Sequence, residues 1–255
     1  MKNIIKLLLL TSMLTLLTGC ESLKSLNGTA SVPSVIKPEK PYNRLALMRI
    51  SEPLFYDINI MAQGFDVPGI TLPGRLAAGG FNLATKIVDE GRRNRRLTHT
   101  LDEWKFKLSD TMTEDVKEAL EGLGYEVIVV EPEFRRGGKF VTSYPVTSKP
   151  VDAYVDMYVS FAGYVALKHN QPYIPTIEAP VRVVDAFSNE FLYAATMNYG
   201  GPVPVDGPTD RPADAKHIVR GWDNLCATDC EVSPAVRGLV AGSKAIAELL
   251  SHNVK

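Results

Sequence analysis

The sequence predicts an α/β protein: a mixed sheet of about five strands with two or more helices packed on it, a single domain behind a leader and a tether. Three observations carry this. Apolar residues recur at helical spacing from Leu101 to Leu123 and again from Val236 to Leu250. Around them stand apolar stretches of strand length, some continuous and some alternating. Ahead of all of these, a short apolar run stops abruptly at Leu17-Thr18-Gly19-Cys20.

The leader comes first. Lys2 and Lys6 precede a stretch from Leu7 to Leu17 that is apolar except for Thr11, Ser12 and Thr15. A positive head followed by an apolar stretch too short to cross a bilayer as a stable helix is the layout of an export signal. Its end resembles the bacterial lipobox, in which the cysteine sulfur receives a diacylglycerol and the chain is cut just before it. The resemblance implies a lipoprotein signal peptide at 1–19 and a lipidated tether at 20–42. It implies covalent diacylglycerol and an N-acyl chain such as palmitate on Cys20, no other cofactor, and a membrane as the first partner. Each buried CH2 contributes about 0.8 kcal/mol, so several acyl chains hold nearly permanently. In lipoproteins of this type an aspartate after the cysteine favours the inner membrane. Here Glu21 follows, which points to the periplasmic face of the outer membrane. The alternative is a plain exported protein with a chance cysteine at 20.

Residues 22–42 are rich in Ser, Thr, Asn, Gly and Lys, with Pro33, Pro38 and Pro41, and read as a flexible tether. Residues 43–255 are long enough for one well-cored α/β domain. Without Lys2 and Lys6, the 28 basic residues of the whole chain fall to 26 against 29 acidic ones. That balance speaks against nucleic acid as a partner. Cys226 and Cys230 form a close pair, for which an oxidising compartment favours a disulfide. So small a loop would pin a local turn. Metal or redox work is the alternative, with His217 the nearest further ligand and no metal site implied by it alone.

Within the body, Arg44 to Ile50 reads as a first strand bounded by Pro41 and Pro53. Leu101, Trp104, Leu108, Met112, Val116, Ala119 and Leu123 define one face of a single long helix, stopped by Gly122 and Gly124. A strand from Tyr125 to Val130 follows at once, which makes a parallel crossover plausible. Val151 to Ala166 alternates as one long strand, half buried. Two arms flank Phe187-Ser188-Asn189-Glu190 as a hairpin, and Gly200 to Pro212 must be loop. Ser233 and Pro234 cap and open a closing helix.

This order of elements resembles a broad group of envelope proteins: the curli-secretion-channel lipoproteins, the penicillin-binding-protein activator lipoproteins and the N-terminal domain of the Tol-system propeller protein. The resemblance rests on the lipobox, the tether, RLALMRI, an insertion, the joint LGYEVIVV, the long alternating strand, the hairpin and the last helix. It implies a non-enzymatic role in docking or assembly with an envelope protein partner.

The insertion, residues 65–96, is apolar and glycine-rich at first and basic at its end. Arg92, Arg93, Arg95 and Arg96 could meet a membrane surface or an anionic partner. In the curli-secretion lipoproteins a segment in an analogous place builds a pore, so an oligomeric secretion or pore component, and with it a homo-oligomer, is the alternative function. The plainer reading is a covering loop and short helix with solvated or paired arginines. Tyr154, Tyr158 and Tyr164 fall on the polar side of the long strand and form a candidate docking face, unless a helix of the same domain covers them. Asp152 and Asp156 share that side, about 13 Å apart by strand spacing, too far for paired acid–base work. They read as solvent-face residues. His99, His169, His217 and His252 show no ligand spacing, and Ser160 and Ser233 lack a nucleophile elbow, so no catalytic residue is assigned and an enzyme is not expected. A hydrolase with converging groups from separate segments is the third and weakest reading.

Overall fold

The computed structural model describes residues 42–60, 82–133, 135, 138–167, 171–201, 207–227 and 232–254, with backbone alone for 82–90. They all fall within one compact unit, Val35–Lys255. The leader, Cys20 and nearly all of the tether lie outside the described residues.

The α/β class holds, and the sheet is larger than expected. Eight strands are present among the described residues: β1 Arg44–Met48, β2 Asp57–Ile60, β3 Glu126–Val130, β4 Ala153–Met157, β5 Phe161–Ala166, β6 Ile174–Asp185, β7 Phe191–Tyr199 and β8 Asp210–Arg211. The helices are α1 Asn82–Glu103, α2 Leu108–Glu121, the single turn α3 Trp222–Leu225, and α4 Pro234–Asn253, with a 3-10 turn at Ala215–His217. The principal strand path runs β2-β5-β6-β4-β1-β3, with β7 on the other edge of β6 and β8 beyond it. β1 pairs in parallel with β3 on one side and β4 on the other, so α1 and α2 form the expected crossover. The continuous apolar run of β1 follows from burial on both faces: Leu45 and Leu47 enter the main core, Ala46 and Met48 a smaller one behind it.

The expected single strand from 151 to 166 is two strands sharing one edge of β6. Met157 pairs with Val181 while Phe161 pairs with Glu178, so four steps on one side oppose three on the other. That extra residue is a bulge, and it reverses the alternation. Before it the odd positions Ala153, Val155 and Met157 enter the main core. After it the even positions Ala162, Tyr164 and Ala166 do.

The expected single helix also breaks. Lys105 takes a left-handed conformation, φ +48°, and α1 ends at Glu103. α2 restarts at Leu108 because Glu52, from the β1–β2 connection, supplies a carboxylate to its free N–H groups. Ser109 N–H donates to it at 2.9 Å and Leu108 N–H at 3.4 Å. At the far end Gly122 keeps right-handed geometry, and Gly124, φ +94°, makes the left-handed turn into β3.

The main core lies between one sheet face and the helices. Leu108, Met112, Val116 and Leu120 of α2 and Leu239, Ile246 and Leu250 of α4 meet Leu47, Val155, Ile177 and Val181. α4 starts as expected, with Ser233 Oγ accepting from Ala235 N–H at 3.3 Å. It approaches the sheet closely: a Cβ at Gly242 would sit 2.7 Å from both Ile177 and Tyr199. Among the described residues no helix is long and apolar enough to cross a membrane.

Candidate functional site

The tyrosines expected on one docking face are separated by the bulge. Tyr154 is 8% exposed on the minor-core side, stacked on Tyr144 at 4.6 Å and donating to Pro145 O at 2.8 Å. Tyr164 is fully buried on the opposite side and donates to Ala235 O at 2.9 Å, under the first turn of α4. Tyr158, in the bulge, keeps partial exposure with Phe140 edge-on at 4.8 Å. Tyr154 packs in the smaller core and Tyr164 in the main one, so the three do not share one exposed face, which corrects the docking-face expectation.

Asp156 also departs from its expected solvent face. It is wholly buried, with Oδ1 accepting from Arg135 Nη2 at 2.6 Å and Oδ2 from Arg182 Nη2 at 3.0 Å. Val141 N–H at 3.0 Å and the Tyr144 hydroxyl at 3.3 Å complete its shell. The Arg182 guanidinium lies 4.4 Å from the Phe140 ring centroid. Burial pushes the Arg135 guanidinium down, opposed by Asp156. The set pins the 138–150 segment over the sheet. Asp152, partly exposed, instead accepts from the backbone N–H groups of Asn43 and Arg44, both at 2.8 Å, at the start of β1.

The arginine cluster is divided by the faces of α1. Arg92 and Arg95 are exposed, and Arg93 is half-buried. Arg96 donates to Asp223 at 3.0 Å and lies 5.8 Å from the Trp222 ring centroid. Between them Asn94 accepts from Ile58 N–H at 2.8 Å and donates to Asp57, which fixes this part of α1 on β2. Residues 65–81 of the insertion lie outside the described residues. Cys226 carries a free, buried thiol, pushed up by burial, while Cys230 lies outside the described residues.

Among the described residues, a concave feature open to solvent lies elsewhere. Asp214 caps the 3-10 turn by accepting from Lys216 N–H at 3.0 Å. The chain then runs antiparallel to Tyr173, exchanging hydrogen bonds with Val219 at 2.8 and 3.0 Å. Against it stands the first turn of α4. Between them lies a cleft of about 250 Å³ lined by Lys216, His217, Arg220, Asn224 and Arg237, with Ile218, Val219 and Pro234 as its apolar walls. No carboxylate is part of this lining among the described residues. Asp214 stands just outside it, 2.8 Å from the Lys216 ammonium. Burial, with Lys216 and Arg237 nearby, pushes the His217 imidazole below its ordinary value against the opposing pull of Asp214. The uncharged imidazole is thereby favoured. The remaining Lys216, Arg220 and Arg237 exceed Asp214 by two charges, and the positive end of α4 adds to them.

The cleft sits at a definite pole of the body. It adjoins the start of β6 through Tyr173, whereas the described chain begins at Tyr42, whose hydroxyl donates to Asp185 at the other end of β6 at 2.9 Å. The 12 residues of the strand set its two ends about 36 Å apart along its length. Of these residues only His217 stands out in the sequence, and as a scattered histidine. The legible signal was Lys216-His217-Ile218-Val219-Arg220, a basic pair and a third cation within five residues. Arg237 is brought in by tertiary structure alone.

No protein-family model and no curated protein matches the sequence. The structure is similar to the crystal structure of protein XCC0632 from Xanthomonas campestris, of the family model DUF330. The likeness covers 86% of this chain and 90% of that one, at 9% identity and a TM-score of 0.38, too low to carry an argument.

Proposed function

We propose that the chain is an envelope lipoprotein, anchored through Cys20 at the periplasmic face of the outer membrane, whose α/β body docks a partner without catalysing a reaction. The observation that carries this is the lipobox-like Leu17-Thr18-Gly19-Cys20 at the end of an apolar leader, followed at once by a proline-bearing polar stretch. The body adds a cation-lined cleft about one strand-length from where its chain begins, and hydrogen-bond donors dominate its lining. The likeness to the curli-secretion and activator lipoproteins belongs to the same proposal. An oligomeric pore is the weaker reading, because Asn94 and Arg96 spend their polar groups on the body's own β2 and α3.

The test is fractionation of cells expressing the native chain and Cys20→Ala, with labelled palmitate. The native protein should be labelled, membrane-bound and start at residue 20; the variant should carry no label and keep its leader or leave the membrane. Equal labelling and retention of both would sink the proposal.

A further inference from the structure

We propose that the cleft formed by Lys216, Arg220, Asn224 and Arg237 around His217 is a binding site for a phosphate-type dianion, such as the terminal group of a phosphomonoester. The claim goes beyond the envelope reading and does not need Cys20 to be acylated.

Three features carry it. The first is shape: this is a cleft with apolar walls, about 250 Å³, large enough for a phosphoryl group and part of its substituent. The second is charge. Three permanent cations from two segments, the 3-10 turn with its exit and the first turn of α4, converge on it, and Asp214 offsets one of them. Like charges brought together by folding cost free energy, and a dianion removes that cost. The local excess of two matches a phosphomonoester better than a carboxylate. The third is donor geometry. Arg220 and Arg237 offer planar forks suited to tetrahedral oxyanions, Lys216 a point charge, and Asn224 an amide. The charge of Arg93, whose Nη1 is buried with no hydrogen-bond partner among the described residues, acts on Tyr173, the strand partner of Val219.

His217 makes the site readable. The charged groups facing it are Lys216 and Asp214 from the 3-10 turn and Arg237 from α4, with Arg220 in the same lining. Burial first, and the cations after it, disfavour its protonation. A bound dianion reverses that balance, so ligand and proton should assist each other. Sulfate stays doubly charged across the range in which imidazole titrates, which separates the histidine's response from the ligand's own.

The experiment uses the full chain purified in detergent with isotope-labelled histidine, followed by nuclear magnetic resonance. Saturating sulfate or inorganic phosphate should shift the His217 resonances and raise its titration midpoint, leaving His252 in place. Sulfate affinity should rise about three- to tenfold from pH 8 to pH 5.5, the size of one added charge at the exposed end of a cleft. The exposed pair Arg220→Ala and Arg237→Ala, combined, should weaken sulfate and glycerol phosphate at least tenfold while Lys117→Ala, on α2, binds as the native chain does. Vesicles containing phosphatidic acid supply the same group on a surface. Binding to them with none to glycerol phosphate would place the phosphate on a lipid, and the reverse would place it on a soluble molecule. If neither source moves His217, or if the double variant binds both as tightly as the native chain, the site does not exist.

Discussion

At Asp156 two guanidinium groups, a backbone N–H and a phenol converge on a carboxylate with no exposed surface. Removing the carboxylate would leave Arg135, whose side chain is 4% exposed, with no counter-charge. Breaking such a pair from one side typically costs about 3–5 kcal/mol. Asp156→Ala is therefore expected to lower the denaturant midpoint by that much stability, and a loss under 1 kcal/mol in chemical unfolding would mean that water reaches the arginines. Asp185 behaves differently, being a turn residue. It accepts from Ser188 and Phe187 N–H, both at 2.8 Å, and from the Tyr42 hydroxyl. The Ser188 N–H chiefly, against some desolvation, holds its carboxyl below the ordinary value. A depressed carboxyl contributes stability that is present above its unfolded value and is lost as pH falls through the folded one. Stability should thus decline below about pH 4, and Asp185→Asn, which loses that contribution, should be less stable than the native chain at neutral pH and converge with it in acid. The hairpin turn beside Asp185 was legible in sequence as Phe187-Ser188-Asn189-Glu190. The sequence hid Asp156, because strand alternation placed that residue on a polar side, and only the 138–150 segment folding over it turns that side inward.

At the scale of elements, one residue more or less decides which face a side chain joins. β4 and β5 were legible together, as one strand. Their bulge was not, because nothing in Tyr158-Val159-Ser160 breaks the run of strand-forming residues. The two helices between β1 and β3 teach the same lesson. Leu101, Leu108, Met112 and Leu120 are buried as the helical spacing foretells, yet the chain turns sharply between Leu101 and Leu108. The second helix needs an N-terminus, and Glu52 comes from 57 residues earlier to supply it. A long-range cap of this kind has no local signature, unlike Ser233 before α4. Glu52→Ala should cost about 1–2 kcal/mol, since it removes both the acceptor for two helix N–H groups and a negative charge at the helix start. Hydrogen exchange offers the finer check. Amides of the first turn of α2 should exchange faster in the variant, while those near Leu120 keep their protection. Uniform acceleration along α2 would instead mean that the change acts through global stability alone.

At the scale of the whole molecule the sheet has two unequal sides. One is sealed by α2 and α4 and holds most of the buried apolar residues; among the described residues the smaller cluster on the other gathers Ala46, Met48, Val141, Val151 and Tyr154. The class, the crossover, the hairpin and the closing helix were legible because each depends on a local pattern. The cleft and the lesser side were not, since both are made where segments without regular structure meet. Opening the lesser side exposes few apolar groups, and at about 25 cal/mol per Å² its burial supplies a small share of the folding free energy. What holds it is polar: Asp156 with its arginines, Arg182 Nη2 donating to Val141 O at 2.6 Å, and the Tyr154 hydroxyl on Pro145 O. The segment from 138 to 150 should therefore open below the global unfolding free energy, as a separate unit. Native-state hydrogen exchange should give Val141 N–H a lower opening free energy than the amides of α4 near Ile246, and a protease cutting within 138–150 should leave the α2–α4 side folded. Asp156→Asn, which keeps the shape and removes the charge, should widen that gap. Equal opening free energies at Val141 and Ile246 in the native chain would mean that both sides fold as one, with the buried ion network transmitting cooperativity across the sheet.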